Sequence, residues 1–289
     1  MNDFHRALPV LAFLVAASFP GFGLDVGLSL HAGNIDFAAN RASTDTTYTN
    51  GPLTFGVDAS IGQQINDATS ARVQFTMDPV LGNLVYGSLT YSTPYFVVTG
   101  GPLFGVFNSA TSLLESGLRA QITARIPGIA SISLDSGSTF GTQLTRPGDY
   151  AENMSDISIG FYIRNVICSV HVSQKGYTVK DSSGSVDTTL REYSVQTDIF
   201  QKNVPYNLML KAGYQLQGKY FAYSTPVTQT LASIVVGARL DLELSNLLTM
   251  NLGIETSLYT FGLDALTGTS IDNTFLFRAF TGVVMHPFR

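Results

Sequence analysis

Histidine and serine are the residues of this chain best suited to acid–base or nucleophilic chemistry. Beyond the N-terminal segment the histidines are His31, His171 and His286. Ser169, His171 and Ser173 share one face of a predicted strand, and a serine beside a histidine is the starting point of a hydrolase site. In a strand, however, every second residue shares a face, and no G-x-S-x-G turn accompanies these three. We therefore expect no enzyme activity.

The other candidate motifs predict no chemistry. The segment GGPLFG at 100–105 lacks the following helix and the lysine of a phosphate-binding loop. Cys168 is the single cysteine, lies between Val166 and Val170, and is expected to pack as a small apolar side chain. No group of His, Cys, Asp or Glu residues has metal-ligand spacing. The sequence thus predicts neither a cofactor nor a metal.

The composition narrows the class of protein. Only 13% of the 289 residues are charged and 45% are hydrophobic, whereas about 25% of residues are charged in an average soluble domain. So apolar a chain is not disordered. Its net charge of −5 leaves no basic patch for phosphates, so we expect no nucleic-acid partner.

The N-terminus carries the longest simple apolar run. Residues 7–19 are apolar except for Ser18 and follow Arg6, and Pro20 and Gly21 come directly after them. A run of this length is typical of a signal peptide and too short to span a bilayer. We predict a signal peptide over residues 1–23 and one domain over residues 24–289.

Beyond residue 23 the apolar residues alternate with polar ones. Ala71, Val73 and Phe75, for example, alternate with Arg72 and Gln74. Alternation with period two predicts strands with one apolar and one polar face. We predict about fourteen strands, or between twelve and sixteen if single segments are merged or split. Their expected ranges are 24–35, 52–62, 70–79, 84–92, 95–107, 116–126, 129–138, 153–164, 166–176, 190–201, 206–217, 230–243, 248–259 and 272–286.

Strand and loop lengths point to a membrane barrel. Most predicted strands run to about ten residues, which is the length that crosses a bilayer at a tilt. Tight turns at 127–128 and 202–205 alternate with longer polar segments such as 139–152 and 178–189. Since every backbone polar group must be paired inside lipid, such a sheet has to close. The predicted fold class is all-β: a transmembrane, antiparallel, up-and-down β-barrel.

The last predicted strand is rich in phenylalanine, with Phe275, Phe277 and Phe280, and Phe288 is the penultimate residue. Together with the signal peptide and the alternation of short turns and long loops, this resembles Gram-negative outer-membrane β-barrel proteins of the porin type. The resemblance implies a location in the bacterial outer membrane, contact with its lipid and with the barrel-assembly machinery, and passive diffusion of small hydrophilic solutes. It implies no cofactor.

If the apolar face meets lipid, the charged residues of the other face line the pore, because a lipid-facing Lys or Arg is costly. Mixed signs predict ion pairs between neighbouring strands and weak cation preference. The predicted pore-lining residues are Asp25, Asp58, Arg72, Arg119, Arg125, Arg164, Glu192, Asp198, Lys211, Arg239, Asp241, Glu255 and Arg278.

From 84 to 107 both faces are apolar or aromatic, which predicts an apolar stretch of the inner wall. Its expected residues are Tyr86, Tyr95, Val97, Leu103 and Phe107. This wall favours a first alternative, a transporter of hydrophobic small molecules. A second alternative is a surface-exposed adhesin or structural barrel that binds through polar loops such as 178–189. The oligomeric state and the substrate are open.

Overall fold

The computed structural model describes residues 23–34, 53–78, 82–107, 113–140, 150–180, 184–200, 204–222, 227–262 and 274–286. These residues form fourteen strands: β1 Leu24–Gly33, β2 Thr54–Asn66, β3 Thr69–Asp78, β4 Gly82–Ser92, β5 Phe96–Phe107, β6 Leu113–Ile126, β7 Ala130–Phe140, β8 Tyr150–Ile163, β9 Val166–Lys180, β10 Ser185–Phe200, β11 Tyr206–Ala222, β12 Val227–Ser245, β13 Leu248–Gly262 and β14 Thr274–Met285. The predicted signal-peptide residues 1–22 and Phe288 lie outside the described residues.

The strands close into one antiparallel barrel. Each strand pairs with its neighbours in the sequence, and β1 pairs with both β2 and β14. The closing register runs from Val26 opposite Met285 to Gly33 opposite Arg278. Closure leaves no unpaired sheet edge, as a membrane requires. The predicted fold class and the strand count of fourteen are confirmed.

The outer face of the barrel is apolar. Outward-facing side chains such as Leu28, Leu118, Ile132, Ile159 and Val170 are between 44% and 62% exposed. In a water-soluble barrel this would be an unfavourable surface, but a bilayer stabilises it. The barrel is thus of the outer-membrane type, in agreement with the predicted location in the bacterial outer membrane.

The strands β9 and β10 stay paired beyond the apolar band of the outer face. The sequence predicted a loop over 178–189, but β9 extends to Lys180 and β10 begins at Ser185, with Thr178 opposite Asp187. The prediction was wrong because alternation of apolar residues stops at the membrane edge, whereas the backbone ladder does not. Residues 38–51, another polar segment of the sequence, lie outside the described residues.

Arg191 on β10 lies at the edge of the apolar band. It is exposed on the outer face, and its Nε donates a hydrogen bond to Gln174 of β9 at 3.1 Å. Tyr193 and Tyr214, adjacent in the register, lie on the same outer face. Tyrosines beside an arginine suit the interface between hydrocarbon and water.

Short turns join the strands at the opposite end. Gly128 has a φ of 72° between β6 and β7, and Arg164 has a φ of 54° between β8 and β9. Positive φ lets the chain reverse within two or three residues. No helix among the described residues is long and apolar enough to cross a membrane.

Candidate functional site: the charged interior of the barrel

The inner face holds an ion-paired cluster that spans four adjacent strands, β10 to β13. The Lys211 ammonium on β11 lies 2.9 Å from Oε1 of Glu192 on β10. It also lies 3.0 Å from Oε2 of Glu255 on β13. β12 contributes Gly237 between them, opposite both Lys211 and Glu255 in the register. Because Gly237 has no side chain, the lysine reaches across that strand to the second carboxylate.

Arg119 and Asp135 form a second pair, between β6 and β7. The guanidinium donates two hydrogen bonds to the carboxylate, Nε to Oδ1 at 3.0 Å and Nη2 to Oδ2 at 2.6 Å. The guanidinium carbon also lies 5.0 Å from the centre of the Tyr86 ring on β4. Bidentate pairing and ring stacking together hold an arginine in one position.

A third cluster joins the first two strands of the barrel to the last. Arg278 on β14 lies 3.5 Å from Oδ2 of Asp58 on β2 and donates from Nη2 to Nδ1 of His31 on β1 at 3.0 Å. Asp58 Oδ1 accepts the backbone N–H of Met77 at 2.9 Å. The His31 ring covers Gly56, where a β-carbon would overlap the imidazole. The inner face at Gly56 is therefore covered by the imidazole ring.

The three clusters surround an interior cavity. Its volume is about 380 Å³, and its lining extends from Arg119 of β6 around to Arg278 and Phe280 of β14. The acidic and basic groups of the lining are Arg119, Asp135, Asp156, His171, Lys175, Glu192, Lys211, Glu255 and Arg278. We call these residues, together with Asp58, the charged belt. The expected cross-strand ion pairs are present in it.

Most of the predicted pore-lining residues lie on the inward-facing parity of their strands. These are Asp25, Asp58, Arg72, Arg119, Arg125, Glu192, Asp198, Lys211, Arg239, Asp241, Glu255 and Arg278. Arg164 differs, because it lies in the turn between β8 and β9 and is exposed. The prediction continued the alternation one residue past the end of β8 at Ile163. Beyond a strand, alternation no longer indicates which way a side chain points.

The predicted apolar wall is present in part. Tyr86 and Leu103 face inward opposite each other and are 9% and 1% exposed, and Val97 shares their parity on β5. Tyr95 precedes β5 and is 66% exposed, so its assignment to the inner wall was wrong. A turn intervenes there and resets the alternation. Phe107 ends β5, and its side chain is outside the described set.

Sequence reasoning missed other inward residues. Glu152, expected in a loop, lies in β8, is 1% exposed and directs its carboxylate toward Gly105 of β5. Phe280 covers Gly253 and lines the cavity. The parity that Phe280 shares with Arg278 on β14 was the signal available in the sequence. Among the described residues, no group of three or more His, Cys, Asp or Glu is placed to hold a metal ion.

No protein-family model matches the sequence, and no curated protein matches it. Solved structures of outer-membrane proteins do match. An outer membrane channel from Pseudomonas putida F1 is 11% identical, with 93% of this chain and 96% of that chain covered and a TM-score of 0.49. In-vitro folded OmpT, an outer membrane protein of Vibrio cholerae, is 12% identical over 92% and 96% of the two chains, with a TM-score of 0.46.

CymD, a monoaromatic hydrocarbon channel, is 7% identical over 92% and 89% of the two chains, with a TM-score of 0.44. Identities this low say nothing about what the present barrel binds or conducts. The function therefore has to be argued from the residues of its own interior.

Proposed function

We propose that this chain forms an outer-membrane channel for passive diffusion of small hydrophilic solutes. The charged belt is the observation that carries the proposal. An interior that served only as packing would be filled by apolar side chains, whereas charged side chains inside a barrel need water or ion partners. Fourteen strands also enclose more space than the roughly eight that side chains fill.

The belt supports weak rather than strong ion selectivity. The cavity lining holds four carboxylates, Asp135, Asp156, Glu192 and Glu255, and four bases, Arg119, Lys175, Lys211 and Arg278. Asp58 adds one carboxylate beside Arg278. Near-neutral walls admit both ion signs, and the additional acid favours cations slightly.

Single-channel recording tests the proposal. Residues 24–289, refolded in detergent and added to a planar bilayer, are expected to give stable conductance steps with mild cation preference. Circular dichroism and heat-dependent electrophoretic mobility confirm that the added protein is a folded barrel. A folded barrel that gives no conductance steps would refute the channel.

A second candidate function follows from the apolar inner wall. Leu84, Tyr86 and Leu103 face inward and are each less than 10% exposed. An apolar inner wall is the feature that favours passage of hydrophobic small molecules, the alternative expected from the sequence. Uptake of a small aromatic compound into liposomes, with glucose as the hydrophilic comparison, separates the two. Faster uptake of the aromatic compound alone favours this second function.

A further inference from the structure

Three inward-facing residues outside the ion-paired clusters have the contacts of a catalytic triad. The Ser169 hydroxyl lies 2.9 Å from Nε2 of His171. Nδ1 of the same ring lies 3.4 Å from Oδ1 of Asp156. In the tautomer with hydrogen on Nδ1, the imidazole donates to the aspartate and accepts from the serine. Each ring nitrogen thus meets the group that acyl transfer requires of it.

The strands explain why the three residues meet. Ser169 and His171 are two residues apart on β9 and share its inner face. Asp156 comes from β8, where it is the register partner of Ser173. The register partner of His171 is Ser158, so Asp156 lies one inward-facing position away from it, and the imidazole is directed toward that carboxylate. The sequence did not predict this contact, because the aspartate lies 15 residues before the histidine.

Ser169 lies next to the wall of the interior cavity. Its register partner on β8 is Gly160, and its partner on β10 is Gln196. Gly160 places no side chain beside the serine, and a β-carbon there would lie 3.1 Å from the Ser131 hydroxyl and 3.6 Å from Cβ of Ser169. On the other side Gln196, like His171 and Asp156, lines the interior cavity. Ser169 itself is 8% exposed, one inner-face position below the cavity.

We propose that Ser169, His171 and Asp156 form a hydrolytic site for small carboxylic esters within the lumen. The Ser169 oxygen attacks the ester carbonyl carbon while Nε2 of His171 takes the hydroxyl proton. The carbon–oxygen bond to the alcohol then breaks, and His171 returns the proton to the departing alcohol. Water, activated by the same nitrogen, releases the acid from the serine. The net reaction is ester plus water to acid plus alcohol.

The surroundings define the substrate class. A cavity of about 380 Å³ holds a small molecule rather than a lipid or a protein chain. Its lining combines charged groups with Met154 and Leu190, which suits a polar alcohol that carries a short acyl group. The Gln196 amide, now bonded to Asp198 at 3.0 Å, is a donor next to the serine for the negative charge that develops on the carbonyl oxygen.

Covalent labelling tests the site. The folded barrel in detergent is incubated with a fluorophosphonate probe, and the labelled residue is identified by peptide mass spectrometry. We expect one label per chain, on Ser169, and none in Ser169→Ala. His171→Gln is expected to slow labelling about 100-fold or more. Ser158→Ala is the matched control, because Ser158 is the register partner of His171 on β8 and should be labelled at Ser169 as the wild type is.

Asp156 acts through His171, so its test needs a readout that a structural role would not change. Asp156→Asn is expected to slow labelling and hydrolysis of p-nitrophenyl acetate, and Asp156→Glu to recover part of the rate, with unchanged heat-dependent mobility. A folded barrel that stays unlabelled, or Ser169→Ala that reacts at the wild-type rate, would overturn the proposal. Conductance is measured separately, so a failed label leaves the proposed channel untouched.

Discussion

The Arg278 guanidinium lies 3.5 Å from the Asp58 carboxylate although a whole strand separates their strands. Arg278 belongs to β14 and Asp58 to β2, and β1 lies between them. Their side chains are 24% and 27% exposed. The pair therefore crosses the position where the barrel closes and joins the C-terminal strand to the N-terminal hairpin.

Neutralising Asp58 should weaken this closure. Asp58→Asn keeps an oxygen for the Met77 N–H but removes the charge that faces Arg278, so we expect a loss of about 1–3 kcal/mol. Urea unfolding from lipid vesicles measures it. Asp198→Asn is the control, since Asp198 is bonded to Gln196 on its own strand. Equal losses in the two variants would contradict a special role of the closure pair.

Removing the Lys211 charge should increase cation selectivity. Lys211→Met leaves the Glu192 and Glu255 carboxylates without their shared partner. Unit charges about 4 Å apart in water interact by about 1 kcal/mol, which changes an ion ratio about fivefold. The reversal potential in a KCl gradient reports the change. Arg239→Met is the control, because Arg239 is 43% exposed and is bonded to Asp241 of the same strand. A similar shift in both variants would rule out the Lys211 cluster as the selectivity element.

Shortening Tyr86 should raise conductance. Its ring lies inside the barrel at 9% exposure and supports the Arg119 guanidinium at 5.0 Å. Tyr86→Ala removes that ring and frees the arginine, so we expect larger single-channel steps at equal salt. Tyr91→Ala, on the same strand but outward-facing and 49% exposed, should leave the steps unchanged. Unchanged steps in Tyr86→Ala would place the narrowest part of the lumen elsewhere.

Strand number and the direction of most charged side chains could be predicted from alternation, because a period of two indicates both a strand and its faces. Closure followed from the need to pair every backbone polar group in lipid. The contact partners of these charged side chains could not be predicted from the sequence. Asp58 and Arg278 are 220 residues apart in sequence, and only barrel closure brings them together. The Asp156–His171 contact likewise depends on the register between β8 and β9.

Strand ends were also beyond the sequence. β8 begins at Tyr150 and β10 at Ser185, before the ranges that alternation predicted, and Glu152 lies in such a polar extension. Backbone hydrogen bonds extend these strands, and side-chain types carry little information about such pairing. Tyr95 and Arg164 show the opposite error at the short turns, where each predicted strand extended one residue beyond the observed one.

A lysine on the outer face should destabilise the barrel far more than one on the inner face. Ile122 lies on β6 midway between Leu118 and Ile126, and all three are more than half exposed to the bilayer side. Ile122→Lys places a charge in hydrocarbon, at a cost of about 2–4 kcal/mol near the midplane. Gln121→Lys, the adjacent residue, points inward toward Ser133 and should change stability by less than about 1 kcal/mol. Urea unfolding from vesicles of both variants measures the difference. Equal destabilisation would mean that β6 does not present alternate faces to lipid and lumen.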